Sequence, residues 1–359
     1  MGSRDTPPAA NELEVSVFGP LRGECIVLHI PSAGWYVVDS FSIKRARSVV
    51  PVATYYLREV LNVDRLAGLL LTHWHEDHTE GARDLLESFP TGVGLVGLPG
   101  AYSTRELTTF AGAYIRQETA FRPVRDLLEV MDFLEKNQAV RTRILNEGVQ
   151  IAPRGAAWSF EALSPSVEDQ RRLLAAIAAV LPLAAPKNKT RLNSNAGCAV
   201  LRIEFGGLRI MISSDLEAGD DDRVGWRHIV SQNTGSLRAH VATIGHHGSP
   251  SAYLDEAWTE MGDLASTIAI STLFPARSGS LPREQVLRKV RQRSHRILLT
   301  GRPGSNVKSA VLVPKKHLPF SSYSPVHTAG DPGQVRLRYR SGMTLPNLEI
   351  FPPAHIWEG

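Results

Sequence analysis

A chain of 359 residues, 43% hydrophobic and 21% charged, has the composition of a cored globular protein, and it holds no run near the roughly 18 apolar residues a membrane span requires. Its formal net charge of +4 permits a polyanionic substrate without demanding one. Only two cysteines are present, Cys25 and Cys198, each within an apolar run; this fits buried thiols in a reducing compartment, and no apolar signal stretch opens the chain. A cytoplasmic protein with a disordered leader over residues 1–11 and no membrane association is the expectation.

The folded part opens with three strand-like runs, Leu13–Phe18, Cys25–Ile30 and Trp35–Asp39, separated by Gly- and Pro-containing turns that predict an antiparallel meander. A helical stretch over Val52–Leu61 follows. The apolar run Gly68-Leu69-Leu70-Leu71 then leads through Thr72 into His73-Trp74-His75-Glu76-Asp77-His78, after which Thr79 is placed to cap a helix whose Leu85 and Leu86 face inward. From Tyr102 to about Glu147 the periodicity is helical, and Leu127, Val130, Met131 and Leu134 form one packing stripe. This segment exceeds what a connection needs, so it reads as a helical insertion near 102–147 that offers a surface to a protein partner.

Strand-like runs resume at Trp158–Leu163, Cys198–Phe205 and Leu208–Ser213, the last two joined by a Gly206-Gly207 turn, with a helix over Val167–Leu181 and a basic loop, Lys187–Arg191, between them. Val241–Ile244 leads into Gly245-His246-His247-Gly248. After about Gly301 the chain is Pro- and Ser-rich with one strand-like run, Val335–Tyr339, and residues 306–359 read as a C-terminal extension of a domain spanning 12–305. Two meanders alternating with helices predict an α/β fold, an αββα sandwich of two mixed sheets packed between helices.

Four ligand-type side chains within six residues, directly after an apolar strand, point to a metal site. His73 and His75 are positioned for a first ion, Asp77 and His78 for a second, and this mix of imidazole and carboxylate suits two zinc ions, with manganese or iron as substitutes. Asp215, just past a strand end, is placed to bridge the two. Adjacent histidines project differently, so His247 is expected on metal and His246 on substrate.

With these residues in view, the chain resembles the metallo-β-lactamase superfamily, which carries His-x-His-x-Asp-His, a later bridging Asp and a later His. Within it, the pattern is similar to the hydrolase domain of bacterial DNA-uptake channel proteins and to phosphorylcholine esterases, through Leu163-Ser164-Pro165, Asn193-Ser194-Asn195, Ser214-Asp215 and His246-His247-Gly248-Ser249. Val37-Val38-Asp39 is similar to the strand-end Asp that supports a metal ligand from behind. Ser40, Cys198 and Ser214 depart from the pattern by small-for-small changes, whereas Leu281-Pro282 stands where relatives carry His-Pro.

The resemblance implies a dinuclear-metal hydrolase in which a metal-bridging hydroxide attacks phosphorus or a carbonyl. Asp77 would orient the water or relay its proton, and Asn195 and His246 would hold the oxyanion. A phosphodiesterase or nuclease is the first expectation, with nucleic acid or another phosphodiester as substrate; Arg171, Arg172 and the Lys187–Arg191 loop offer charge to its phosphates, although such runs are more often solvated faces. Hydrolysis of a small ester, lactone or lactam, and a metal-bearing or degenerate sensor or scaffold acting with a partner protein, are the alternatives.

Overall fold

The computed structural model describes residues 4–19, 23–45, 48–89, 91–103, 122–180, 193–276, 279–301, 331–343 and 345–359. Strand alternation sets its layers. In β1 (Glu12–Gly19), Leu13, Val15 and Val17 belong to the apolar core between two sheets, while Glu14 and Ser16 bond to groups outside it. The strands β2 (Cys25–Ile30), β3 (Gly34–Val38), β4 (Ser42–Arg45), β5 (Ser48–Pro51), β6 (Gly68–Leu70), β7 (Leu95–Pro99) and β8 (Arg141–Leu145) complete the first half. The second half contains β9 (Val149–Gln150), β10 (Trp158–Ala162), β11 (Leu201–Phe205), β12 (Leu208–Ile212), β13 (Val241–Thr243), β14 (Asp263–Ser271), β15 (Phe274–Ala276), β16 (Gly279–Leu281) and β17 (Ser294–Leu299). Three further strands close the chain: β18 (Gly333–Arg340), β19 (Asn347–Phe351) and β20 (His355–Trp357).

The first sheet runs β19-β18-β1-β2-β3-β6-β7-β8 and the second β20-β17-β14-β13-β12-β11-β10-β9. Each joins an antiparallel meander to parallel strands, β3-β6-β7-β8 in one and β12-β13-β14-β17 in the other. Their inner faces share one core, in which Val15, Leu28 and Val38 meet Phe160, Ile203 and Ile270. Outside the first sheet pack the helices Ala82–Glu87 and Arg122–Lys136; outside the second pack Gly225–Gln232, Asp255–Met261 and Glu284–Arg291. The expected αββα layering is therefore present.

Four local expectations are corrected. Residues 4–11 are held rather than loose, because the Arg336 and Arg338 guanidiniums donate to the carbonyls of Arg4 and Thr6. Thr79 does not cap a following helix; its hydroxyl donates to the His75 carbonyl inside the short helix Glu76–Thr79, and the next helix begins after Gly81 at φ 73°. The helical reading of 102–147 holds for Arg122–Lys136, where Leu127 and Val130 are buried, but Arg141–Leu145 is an edge strand, and 104–121 lies outside the described residues. The tail is no appendage: β18 pairs with β1 along its full length, burying Val335, Leu337 and Tyr339, and β20 pairs with β17.

Candidate metal centre

Ligands to α/β sheets gather beyond the carboxyl ends of parallel strands, where backbone ends and helix starts converge. Five such ends meet here. Asp39 follows β3, the His73–His78 run follows β6, Asp215 follows β12, His246 and His247 follow β13, and Thr272 follows β14. Asp39, Ser214, His246 and His247 all sit at positive φ, between 46° and 59°. That region is costly for residues with a Cβ, and four such residues at one spot mark a site whose side-chain aim is over-determined by the fold.

Asp215 is the hub. Its Oδ2 lies 3.8 Å from His73 Nε2 and 3.7 Å from His246 Nε2, while its Oδ1 lies 3.4 Å from His78 Nε2 and 3.7 Å from His247 Nε2. Two donor groups result, His73-His75-Asp215 and Asp77-His78-His247-Asp215, each with ligand atoms within 4.8 Å of one another. Apart from the His73–His75 and Asp77–His247 pairs at 3.1 Å, these donors stand too far apart for good hydrogen bonds and suit an arrangement around a cation. The sequence-predicted His73, His75, Asp77, His78, Asp215 and His247 are thus all brought together.

Asp39 supports this cluster from behind. It accepts from the Thr72 backbone N–H (2.7 Å), the Thr72 hydroxyl (2.6 Å) and His78 Nδ1 (2.6 Å). A carboxylate only accepts, so His78 carries its proton on Nδ1 and turns Nε2 toward Asp77 and Asp215. That Nε2 is buried without a hydrogen-bond partner among the described residues. An orphaned imidazole nitrogen facing the buried Asp215 and the half-buried Asp77 fits a bound cation.

Electrostatics divide the cluster. Burial, with His78 and His75 adding repulsion, holds His73 well below its ordinary pKa, and burial likewise lowers His75. Burial alone would also lower His78 and His247, but Asp215 and Asp39 with Asp77 lift His78 well above its ordinary value, and Asp215 with Asp77 raises His247. The surrounding carboxylates thus favour positive charge at His78 and His247, the side of the cluster nearest Asp77 and Asp215. Loading with a divalent metal is expected to release protons, with affinity rising as pH rises. Isothermal titration in buffers of different ionisation enthalpy measures this directly; metal binding with no proton release would contradict it.

Beside the cluster lies a cleft of about 430 Å³ lined by Arg172, Asn193, Asn195, Glu217 and Ser251 among others. Asn195 is buried, its Nδ2 lies 3.4 Å from each ring nitrogen of His246, and its Oδ1 has no partner. His246 is a quarter exposed at the cleft's edge. Arg172 lines this cleft while engaged by Glu168, Asp220 and Asp221, and Arg171 is engaged by Glu168. The Lys187–Arg191 loop lies outside the described residues. Leu281 is buried, and Pro282 after it fills the space that a side chain at Gly248 would occupy, so this wall of the metal loop is apolar.

Sequence reasoning missed two residues. Thr272 Oγ1 stands 2.6 Å from His247 Nδ1 and 3.4 Å from Glu24 Oε2, and Glu24 is buried at the start of β2, its carboxyl pushed up to about 7 by burial against the pull of His247 and His78. A glutamate one residue before an apolar strand was the available signal, and it is a weak one.

A model of the metallo-beta-lactamase superfamily matches residues 19–143. With its αββα layering, the chain has the metallo-β-lactamase fold. Superfamily membership is supported by that match, which contains the His73–His78 run and Asp39 but ends before Asp215. No curated protein matches the chain. Solved structures similar to it include the metallo-beta-lactamase fold protein YhfI from Bacillus subtilis, at 10% identity over 80% of this chain and 96% of that one, with a TM-score of 0.41. A diphosphatase from the PhnP family aligns at 12% identity over 79% and 93%, with a TM-score of 0.41, and unliganded yeast PDE1 at 10% over 78% and 93%, with a TM-score of 0.43. Similarity at this level says nothing about substrate. The metallo-β-lactamase fold explains why the donors lie where they do: its two halves each deliver parallel strand ends to the same edge of the sandwich.

Proposed function

We propose that the protein is a metal-dependent phosphodiester hydrolase. The observation that carries the reading is the shared carboxylate: Asp215 turns one oxygen toward each of two donor groups, an arrangement suited to clamping both sides of an in-line displacement at phosphorus. His73, His75 and Asp215 would hold one ion, and Asp77, His78, His247 and Asp215 the other. Bound there, divalent metals supply Lewis acidity and bring the pKa of water toward neutrality.

The chain's own side chains do the rest. Asp77, whose Oδ2 lies 3.1 Å from His247 Nε2, is held ionised by His78 and His247 against the effect of burial, and it serves to orient a water or take its proton. Asn195 and His246 at the cleft's edge bind a non-bridging phosphoryl oxygen. The cleft receives the rest of the substrate, and its size suits a small phosphodiester or one nucleotide of a strand.

The test is hydrolysis of bis(p-nitrophenyl) phosphate and of single- and double-stranded DNA and RNA with Zn²⁺ or Mn²⁺. A His73→Ala/Asp77→Ala double variant is the control and is expected to lose turnover by about 100-fold or more. Nuclease action is the finer form of the proposal and stands only if the polynucleotides are cut. Cleavage of carboxylic esters or lactones with no phosphodiester turnover would replace this reading, and two bound metals with no hydrolysis of any class would leave a sensor or scaffold.

A further inference from the structure

His73 and His78 are steered by one buried carboxylate. Thr72 Oγ1 donates to Asp39 Oδ2, so the oxygen lone pair of Thr72, 3.2 Å away, meets an N–H on His73 Nδ1, and Asp39 takes the Nδ1 proton of His78 directly. The other half of the fold repeats the arrangement at His247. Thr272 Oγ1 donates toward Glu24 Oε2 and faces His247 Nδ1 at 2.6 Å. One hydroxyl has one proton to give; given to Glu24, it leaves the Thr272 oxygen to accept from His247 Nδ1, which aims Nε2 at Asp77 and Asp215, 3.1 and 3.7 Å away. Phe274 stacks on the His247 ring with centroids 4.8 Å apart, which fixes the ring plane, so the remaining freedom lies in which nitrogen carries the proton.

Among the described residues no cation pairs with the buried Glu24 carboxyl. Among the described residues its Oε1 lacks a hydrogen bond, and its backbone N–H donates to the Asp77 carbonyl at 3.1 Å, which places it against the metal loop. A buried, half-satisfied carboxyl costs stability, and such groups persist where they serve a site.

We infer that Glu24 is a positioning residue for the candidate metal centre, acting through Thr272 to set the tautomer and aim of His247, as Asp39 acts through Thr72 on His73. This rests on the reading of the cluster as a metal centre, though not on the choice of phosphodiester substrate. The two relays tie opposite halves of the sandwich to the cluster: Asp39 ends β3 of the first sheet and supports ligands of the β6 loop, whereas Glu24 in the first sheet reaches a ligand presented by the second.

The experiment uses the full chain at pH 8, with Zn²⁺ affinity from chelator competition and the visible spectrum of the Co²⁺-loaded protein. Glu24→Gln and Thr272→Val are each expected to weaken metal binding by about 10- to 100-fold and to alter the Co²⁺ spectrum, while Thr272→Ser, which keeps the hydroxyl, stays near wild type. Melting of the metal-free proteins separates this from misfolding; if Glu24→Gln does not fold, the comparison of Thr272→Val with Thr272→Ser decides. Wild-type affinity and spectrum in Thr272→Val and in any folded Glu24→Gln overturn the inference alone. A wild-type protein that binds no metal overturns the centre itself, and with it both readings.

Discussion

Replacing Asp215 with alanine is expected to empty both metal positions at once, taking metal content from two ions to less than one and phosphodiester turnover down with it. Of the two groups assigned to the ions, every other donor belongs to one, so its loss leaves a neighbour intact; Asp215 belongs to both, while Asp39 with His73 and His78 forms a third cluster behind them. It is 2% exposed, and four imidazoles lie within 3.8 Å of its oxygens. Losing it removes a ligand from each group and also the anion that offsets ionic charge in a dry pocket. The expected loss of affinity exceeds the roughly 10- to 100-fold typical when a supporting partner of a ligand is removed. Asp77→Ala is the contrast, expected to release one ion and retain the other on His73, His75 and Asp215. Metal analysis of the purified variants, with melting curves to show that each is folded, checks the pair. An Asp215→Ala protein that keeps two ions would mean that the carboxylate does not bridge.

The site was legible in the sequence to the extent that its donors are contiguous. His73 to His78 crowd one loop because a strand end delivers several side chains to one point, and Asp215 and His246-His247 follow apolar runs for the same reason. Asp39 could be read by analogy of position. Thr272 and Glu24 could not: Thr272 follows an apolar strand as many threonines do, and Glu24 meets it across 248 residues of chain. The fold was legible where period-2 alternation is clean, as in β1 to β3. It failed at Arg141–Leu145, where only Leu145 is fully buried and an exposed edge strand leaves almost no apolar pattern. It failed again at Val335–Tyr339, whose alternation was visible but whose partner, β1, lies more than 300 positions earlier; no local signal encodes that pairing.

That pairing makes a second large effect predictable: ending the chain at residue 330 is expected to abolish folding rather than trim an extension. β18 lies between β1 and β19 in the first sheet, and its Val335, Leu337 and Tyr339 join Leu13, Val15 and Val17 in the core between the sheets. Each such aliphatic side chain contributes about 1.5–3 kcal/mol by burial. The polar face matters as much. Arg338 lies 2.8 Å from Glu14, which is wholly buried and also accepts from Tyr56 and Ser16, while Arg336, equally buried, pairs with Glu349 at 2.7 Å. Without β18, Glu14 keeps two neutral donors and loses its only cationic partner among the described residues, and an uncompensated buried charge costs about 3–5 kcal/mol. Together these losses match or exceed the roughly 5–15 kcal/mol that separates a folded domain from its unfolded chain. Arg338→Ala isolates the electrostatic part, with an expected fall of several kcal/mol in urea unfolding at unchanged slope. The truncated chain should show no cooperative melt by circular dichroism and no tight metal binding, because β1 carries β2 and β3, and β3 carries Asp39 to the centre. A soluble truncated protein that melts cooperatively and still holds metal would show that the tail is an accessory after all.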